Sequence, residues 1–306
     1  MFARRSALSL ILIGSALLVS AQNQKKGRAA RFVVPDNVEK TADIVYARYG
    51  DKELRLDLYS PKPKPAGLIP GIVVIRGGGW RQGDKDGFAP IAVGLAAKGF
   101  AAACIEYRVL PQVTILDAVN DTKAAVRWMR AEGKRYGIQT DAIGAIGGSA
   151  GGHLVALLAT SSKVAKLEGN GGHEGVSSRI QASVPMAPVV DFMAFDRNRQ
   201  AKGGDAAQSR FGPDIEVAKL LSPVTHIDGD SAPILLIHGG GDKTVPIAQS
   251  HEMLDRYKKA GLSAEMVTIE GAPHAFWNMP QWSGETIEKS AQFFHSVLDR
   301  VSASVR

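Results

Sequence analysis

From residue 71 onward the sequence alternates short apolar runs with amphipathic stretches. The order is "GIVVIRG", a helix over 88–98, "FAAACIEY", a long amphipathic helix over 115–135, "AIGAIGG" and a helix from Ala150. It continues with "QASVPMAP", "PILLIHG", a helix over 247–260, "SAEMVTIEG" and a final helix over 284–301. Apolar runs without a polar alternate face belong to strands covered on both sides, and strand–helix repetition produces a parallel sheet between two helical layers. The expected fold is therefore an α/β three-layer sandwich with a mostly parallel central sheet. Before it, "DIVYARYG" and "ELRLDLYS" alternate apolar and polar residues around Gly50-Asp51, which predicts an N-terminal antiparallel hairpin. Residues 161–222 break the rhythm with "KLEGNGGHEG" and "RNRQAKGGD", and are expected to form a small insertion that partly covers a site. His173 within it has no neighbours at metal-ligand spacing and is expected in solvent.

The N-terminus has a different texture. Arg4 and Arg5 precede an apolar stretch from Ala7 to Val19, and Val19-Ser20-Ala21 offers small residues for cleavage. Residues 1–21 are accordingly expected to be a signal peptide, followed by a basic linker over 22–40 and a catalytic domain over 41–306. Export to the periplasm or the medium follows, by a general or a twin-arginine route. The apolar stretch is short for a bilayer span, so no stable membrane span is expected after cleavage. The net charge of +7 falls to +5 without Arg4 and Arg5, and much of that excess lies in "NQKKGRAAR" at 23–31, so a nucleic-acid partner is not expected. The single cysteine, Cys104, lies in an apolar run, where a buried inert thiol is expected.

The chemistry concentrates at "AIGGSAGGHL", residues 145–154. Gly147-Gly148-Ser149-Ala150-Gly151 is G-x-S-x-G between a strand and a helix, a sharp turn that projects the serine above the sheet. The Ala150 amide points into the same space, where the helix N-terminus favours negative charge. A P-loop would need Lys and Ser/Thr after its last glycine, but Gly151-Gly152-His153 follows; the dinucleotide spacing G-x-G-x-x-G is also absent.

A serine hydroxyl needs a base, and the base needs an orienting acid. "ILLIHGGGDKTVP" places Asp242 after one apolar run, and "VTIEGAPHAFW" places His274 after the next. The order Ser149, Asp242, His274 is that of an α/β-hydrolase. Asp191 in "APVVDF" is the rival acid, while His153 and His238, each flanked by glycine and apolar residues, read as structural. "VVIRGGGWRQGDK" ends another strand in glycines, so the Gly78 and Gly79 amides, with that of Ala150, are the expected oxyanion hole. Trp80, Phe276 and Trp277 are candidates for an acyl or sugar subsite, with plain packing as the alternative.

Together "GGGWRQGDK", "IEYRVLP", "DTKAAVRWMRAEGKRYGI", "GGSAGGHL", "SPVTHI", "ILLIHGGGDKTVP" and "GAPHAFW" resemble the α/β-hydrolase esterases of the hormone-sensitive-lipase-like and bacterial feruloyl/acetylxylan-esterase (BD-FAE-like) group, over residues 44–301. The resemblance implies Ser149 as nucleophile, His274 as base, Asp242 as its acid and the three amides as the oxyanion hole. It implies a serine carboxylesterase acting on short-chain or carbohydrate-linked esters, acetyl or feruloyl groups of plant polysaccharide, without metal or organic cofactor. An amide hydrolase resembling kynurenine formamidase and a serine peptidase of the prolyl-oligopeptidase kind share the fold and triad; a non-enzymatic binder would lack the need for all three residues. The group's members usually carry His where this chain has Arg76, and that histidine braces the glycine loop. Arg76 is expected to pair instead with Asp84 or Glu106.

Overall fold

The computed structural model describes residues 33–201 and 214–304. The expected signal peptide, the linker up to residue 32 and part of "RNRQAKGGD" lie outside the described residues. Among the described residues eight strands form one sheet: β1 (Val38–Tyr49), β2 (Lys52–Pro61), β3 (Ile69–Ile75), β4 (Ala101–Ile105), β5 (Ile138–Gly148), β6 (Ala182–Met186), β7 (Ile234–Gly239) and β8 (Ala264–Ile269). Their spatial order is β1-β2-β4-β3-β5-β6-β7-β8. β1 and β2 form the expected antiparallel hairpin, β2 runs antiparallel to β4, and β3 to β8 are parallel with β4. β1 begins at Val38, inside the segment read as linker, because Val38 packs into the core.

The helices are α1 (Ala89–Ala96), α2 (Ile115–Glu132), α3 (Ala150–Thr160), α4 (Phe192–Ala201), α5 (Ile215–Leu220), α6 (Ala248–Lys259) and α7 (Pro280–Ser304). α2 starts where Thr114 and Asp117 close a reciprocal capping box, the Thr114 hydroxyl accepting from Asp117 N and the Asp117 carboxylate from Thr114 N. One apolar cluster gathers α1 and α7 on one face through Leu95, Phe100 and Phe294; another gathers α2 and α3 on the other through Val126, Met129 and Leu154. A third seats Met253 and Tyr257 of α6 over β7. The sandwich is thus three-layered as expected, and Cys104 is a fully buried thiol in β4 whose pKa burial pushes up.

Residues 161–222 are not one insertion. β6 lies within them and is a central strand, paired with β5 from Gly144↔Ala182 to Gly148↔Met186. It is the run "QASVPMAP"; Pro185 within it has no N–H to donate, and its register with β7 pairs Ser183 and Met186. Because α3 runs back from the C-terminal edge of the parallel strands, residues 161–181 lie at the N-terminal edge, the far end of the sheet from Ser149. They are pinned there by Lys123, which donates to Ser161 O and Glu168, and by Arg127, which donates to Gly172 O and Glu168 O. Among the described residues of this segment, only those following β6 reach the C-terminal edge. His173 is half-buried, 3.9 Å from Glu132 Oε1, rather than free in solvent.

Candidate active site

Ser149 joins the last residue of β5 to the first of α3 with φ 57° and ψ −119°. A non-glycine residue in the left-handed region persists only if its surroundings over-determine it. Both sides of the residue are tied, the N–H donating to Met186 O at 2.8 Å and the carbonyl accepting from His153 N at 2.9 Å. The glycines around it allow close backbone approach. A Cβ on Gly151 would lie 2.2 Å from Ile75 O, and one on Gly147 2.6 Å from the same oxygen. α3 can therefore start directly against the end of β3.

Asp242 follows β7 and His274 follows β8. The Asp242 carboxylate is fixed from one side, Oδ1 accepting from Thr244 N at 2.7 Å and Val245 N at 3.0 Å. Its Oδ2 lies 2.6 Å from His274 Nδ1, and His274 Nε2 lies 2.9 Å from Ser149 Oγ. A carboxylate only accepts, so Nδ1 carries the ring proton and the bare Nε2 accepts the serine hydroxyl, the tautomer a general base requires. Burial alone would raise the Asp242 pKa. Hydrogen bonds from His238, His274 and the two amides outweigh it and hold the carboxyl well below the usual range.

The rival acid is otherwise engaged, since Asp191 Oδ1 accepts from Ala194 N at 2.9 Å in the first turn of α4. His238 is buried behind the acid, with Nε2 3.1 Å from Val245 O and 3.4 Å from Asp242 Oδ2, and Nδ1 2.7 Å from Ser250 Oγ. His153 is also buried, receiving Trp80 Nε1–H on Nδ1 at 3.1 Å, with Nε2 2.7 Å from Leu221 O. Burial lowers its pKa to about 4 despite the Leu221 bond, so the ring is neutral.

A cavity of about 790 Å³ opens over Ser149 and His274. Gly78 and Gly79 form one edge, in a turn where Arg81 N and Gln82 N donate to Gly78 O. A Cβ on Gly78, at φ 112°, would lie 1.9 Å from Gln82 O, which restricts the position to glycine. Ala150 is buried at the first position of α3. Val189, Phe195 and Val245 make an apolar wall, whereas Gln82, Asp84 and Asn278 make a polar one. The sequence reading missed this apolar wall; Val245, three residues after Asp242, carried a signal in its spacing, but Val189 and Phe195 did not. Among the described residues no group of three His, Cys, Asp or Glu side chains could hold a metal ion, and no helix is long and apolar enough to cross a membrane.

Two expectations need correction. Arg76 pairs with neither Asp84 nor Glu106. Its Nη1 donates to Gly77 O at 3.1 Å and Gln82 O at 2.6 Å, its Nη2 to Tyr107 O at 3.4 Å, and its guanidinium stacks over the Tyr107 ring. Asp84 caps the turn at Gly87, and Glu106 accepts from Arg55 N. Loop carbonyls converge on the two terminal nitrogens of the guanidinium, while its Nε is buried without a hydrogen-bond partner. Of the three aromatic candidates for a subsite, one does not reach the cavity. Phe276 is fully buried and does not line the cavity; Trp80 and Trp277 border it but are each only 2% exposed. Trp277 meets the His274 ring edge-on at 5.5 Å.

Residues 56–257 match the BD-FAE domain family. The chain is 33% identical over 252 residues to the probable carboxylic ester hydrolase LipM of Mycobacterium tuberculosis, covering 76% of this chain and 56% of that protein. It is 29% identical over 245 residues to the isoprenylcysteine alpha-carbonyl methylesterase ICME of Arabidopsis thaliana, covering 74% and 55%. It thus spans little more than half the length of these curated relatives. Esterase 2 of Thermogutta terrifontis, phosphoramylated by tabun, superposes with a TM-score of 0.71 at 31% identity over 85% of this chain and 95% of that one. The propionate-bound form of that esterase gives 0.70 at 30% identity over 85% and 94%.

Proposed function

This chain belongs to the BD-FAE family of α/β-hydrolase esterases, and from that premise we propose that it is a serine carboxylesterase of short-chain or carbohydrate-linked esters, acetyl or feruloyl groups of plant polysaccharide. The observation that carries the reading is the hydrogen-bonded line Ser149–His274–Asp242 at the mouth of a cavity.

His274 Nε2 takes the Ser149 proton as Oγ attacks the ester carbonyl. The resulting oxyanion is held by the amides of Gly78, Gly79 and Ala150, assisted by the N-terminus of α3. His274 then protonates the departing alcohol, leaving an acyl-serine. Water, deprotonated by the same imidazole, attacks the acyl group and releases the acid. Asp242, held ionised, stabilises the imidazolium in both halves.

The apolar wall of Val189, Phe195 and Val245 suits a short acyl chain, and propionate on the Thermogutta esterase supports that size. The polar wall of Gln82, Asp84 and Asn278 suits a hydroxylated alcohol such as a sugar. Acetyl, butyryl, octanoyl and feruloyl esters, with acetylated xylan and N-formylkynurenine, make the test. Acetyl or feruloyl esters are expected to lead; preference for octanoyl esters or for the formamide would overturn the substrate assignment. The same reading includes export with residues 1–21 removed, so that N-terminal sequencing of the secreted protein begins at Gln22.

A further inference from the structure

We infer that His153 and Trp80 form a positioning couple that holds the glycine loop in register with the helix carrying the nucleophile. Trp80 directly follows Gly78-Gly79 and itself sits at φ 60°, a conformation the loop must impose on it. Its indole N–H donates to His153 Nδ1 at 3.1 Å, and the two rings meet edge-on at 5.3 Å. His153 lies one turn into α3, where its backbone N–H is bonded to the Ser149 carbonyl at 2.9 Å.

The ring cannot be replaced by a generic apolar group. The Leu221 carbonyl, 2.7 Å from Nε2, only accepts, so Nε2 carries the hydrogen and Nδ1 is left bare for Trp80. One neutral imidazole therefore connects the glycine loop, the nucleophile's helix and the end of α5. Phe192, at the start of α4, packs against both rings at 5.4 and 4.9 Å. The inference rests on the esterase reading above: Gly78 and Gly79 supply two oxyanion donors and Ala150 the third, on opposite sides of this bond. Oxyanion donors act over a window of a few tenths of an ångström, so loosening the bond moves two donors relative to the other. Neither residue touches the substrate's reacting atoms.

The experiment compares Trp80→Phe, His153→Asn and His153→Leu in the full chain, with rates normalised to the fraction of Ser149 labelled at completion by a fluorophosphonate. Trp80→Phe keeps an aromatic ring without the N–H, His153→Asn keeps an acceptor near Nδ1, and His153→Leu keeps neither ring nitrogen. On p-nitrophenyl acetate, Trp80→Phe and His153→Leu are expected to lower kcat roughly 10- to 100-fold, less than the 10²–10³ cost of deleting a hole donor, with KM within about twofold. His153→Asn should recover part of that loss. Binding of an aryl trifluoromethyl ketone, whose hemiketal oxyanion occupies the hole, should weaken by the same factor as kcat. A Trp80→Phe enzyme with kcat near that of the unmodified protein overturns the inference, as does a kcat loss without weaker ketone binding. If Trp80→Phe does not fold, equal kcat in His153→Asn and His153→Leu overturns it. Absence of labelling and turnover in the unmodified protein would instead refute the esterase reading.

Discussion

A Cβ placed on Gly148 would lie 2.5 Å from Cζ2 of Trp277. The indole closes over the nucleophile's strand end and presses on the His274 ring from the side. Gly148→Ala should therefore displace a buried ring rather than fill a gap, at a cost of roughly 1–3 kcal/mol. Urea denaturation would check it, and kcat should fall with stability because Trp277 supports the base. Unchanged stability would mean that the indole is free to shift.

Ser149 combines the reactive hydroxyl with a left-handed backbone. Ser149→Ala should lower p-nitrophenyl acetate turnover by roughly 10⁴-fold or more while keeping the strained Cβ. Ser149→Gly should be as inactive yet more stable than Ser149→Ala by about 1 kcal/mol, the strain outweighing glycine's extra chain entropy. Paired thermal melts measure the difference, and a less stable glycine variant would contradict it.

Arg76 fastens the two ends of the glycine turn through Gly77 O and Gln82 O and anchors both to Tyr107 O. Arg76→Ala leaves those carbonyls without a common donor. A drop in kcat of up to about 10²-fold is expected, bounded by the cost of losing a hole donor, with smaller loss in Arg76→His. Steady-state kinetics of the two variants would test this, and an Arg76→Ala enzyme of normal kcat would show that the turn holds itself.

Stability should fall in acid by a definite route. His153 binds a proton at about 4 in the folded protein, against about 6.5 in an unfolded chain. The unfolded state therefore takes up the proton first, and as pH falls from about 6.5 to 4 the native state loses up to about 3 kcal/mol. Asp242 is shifted downward, so its contribution is complete above the ordinary carboxylate value of about 3.9 and is lost only below it. Urea midpoints at pH 7, 5.5 and 4.5 should decline in the natural chain and decline less in His153→Asn. Parallel curves would exclude His153 as a source.

Most of the fold, and the three residues that meet at the candidate site, were legible because their signals are local. The hairpin turns at Gly50-Asp51, the amphipathic stretch read over 115–135 contains the helix Ile115–Glu132, and Ser149, Asp242 and His274 each lie within a few residues of the end of an apolar run. The run that forms β6, "QASVPMAP", was legible as apolar, but its five strand residues, its Pro185 and its burial on both faces leave no period to set it apart from the glycine-rich stretches on either side. The partners of Arg76 were illegible for another reason. Backbone carbonyls of Gly77, Gln82 and Tyr107 carry no residue identity, and only the folded turn aims them at one guanidinium. Phe276 could not be told from a cavity-lining ring because its neighbours Trp277 and His274 line the cleft while it turns inward.

The stretch from 161 to 181 sits at the foot of the sheet, and Glu174 and Gly175 at its tip are open to water. A surface linker, fluorophore or grafted peptide attached at that tip would leave the mouth of the cleft clear. The protein could be fixed to a bead through this point with the mouth of its cleft facing the surrounding liquid.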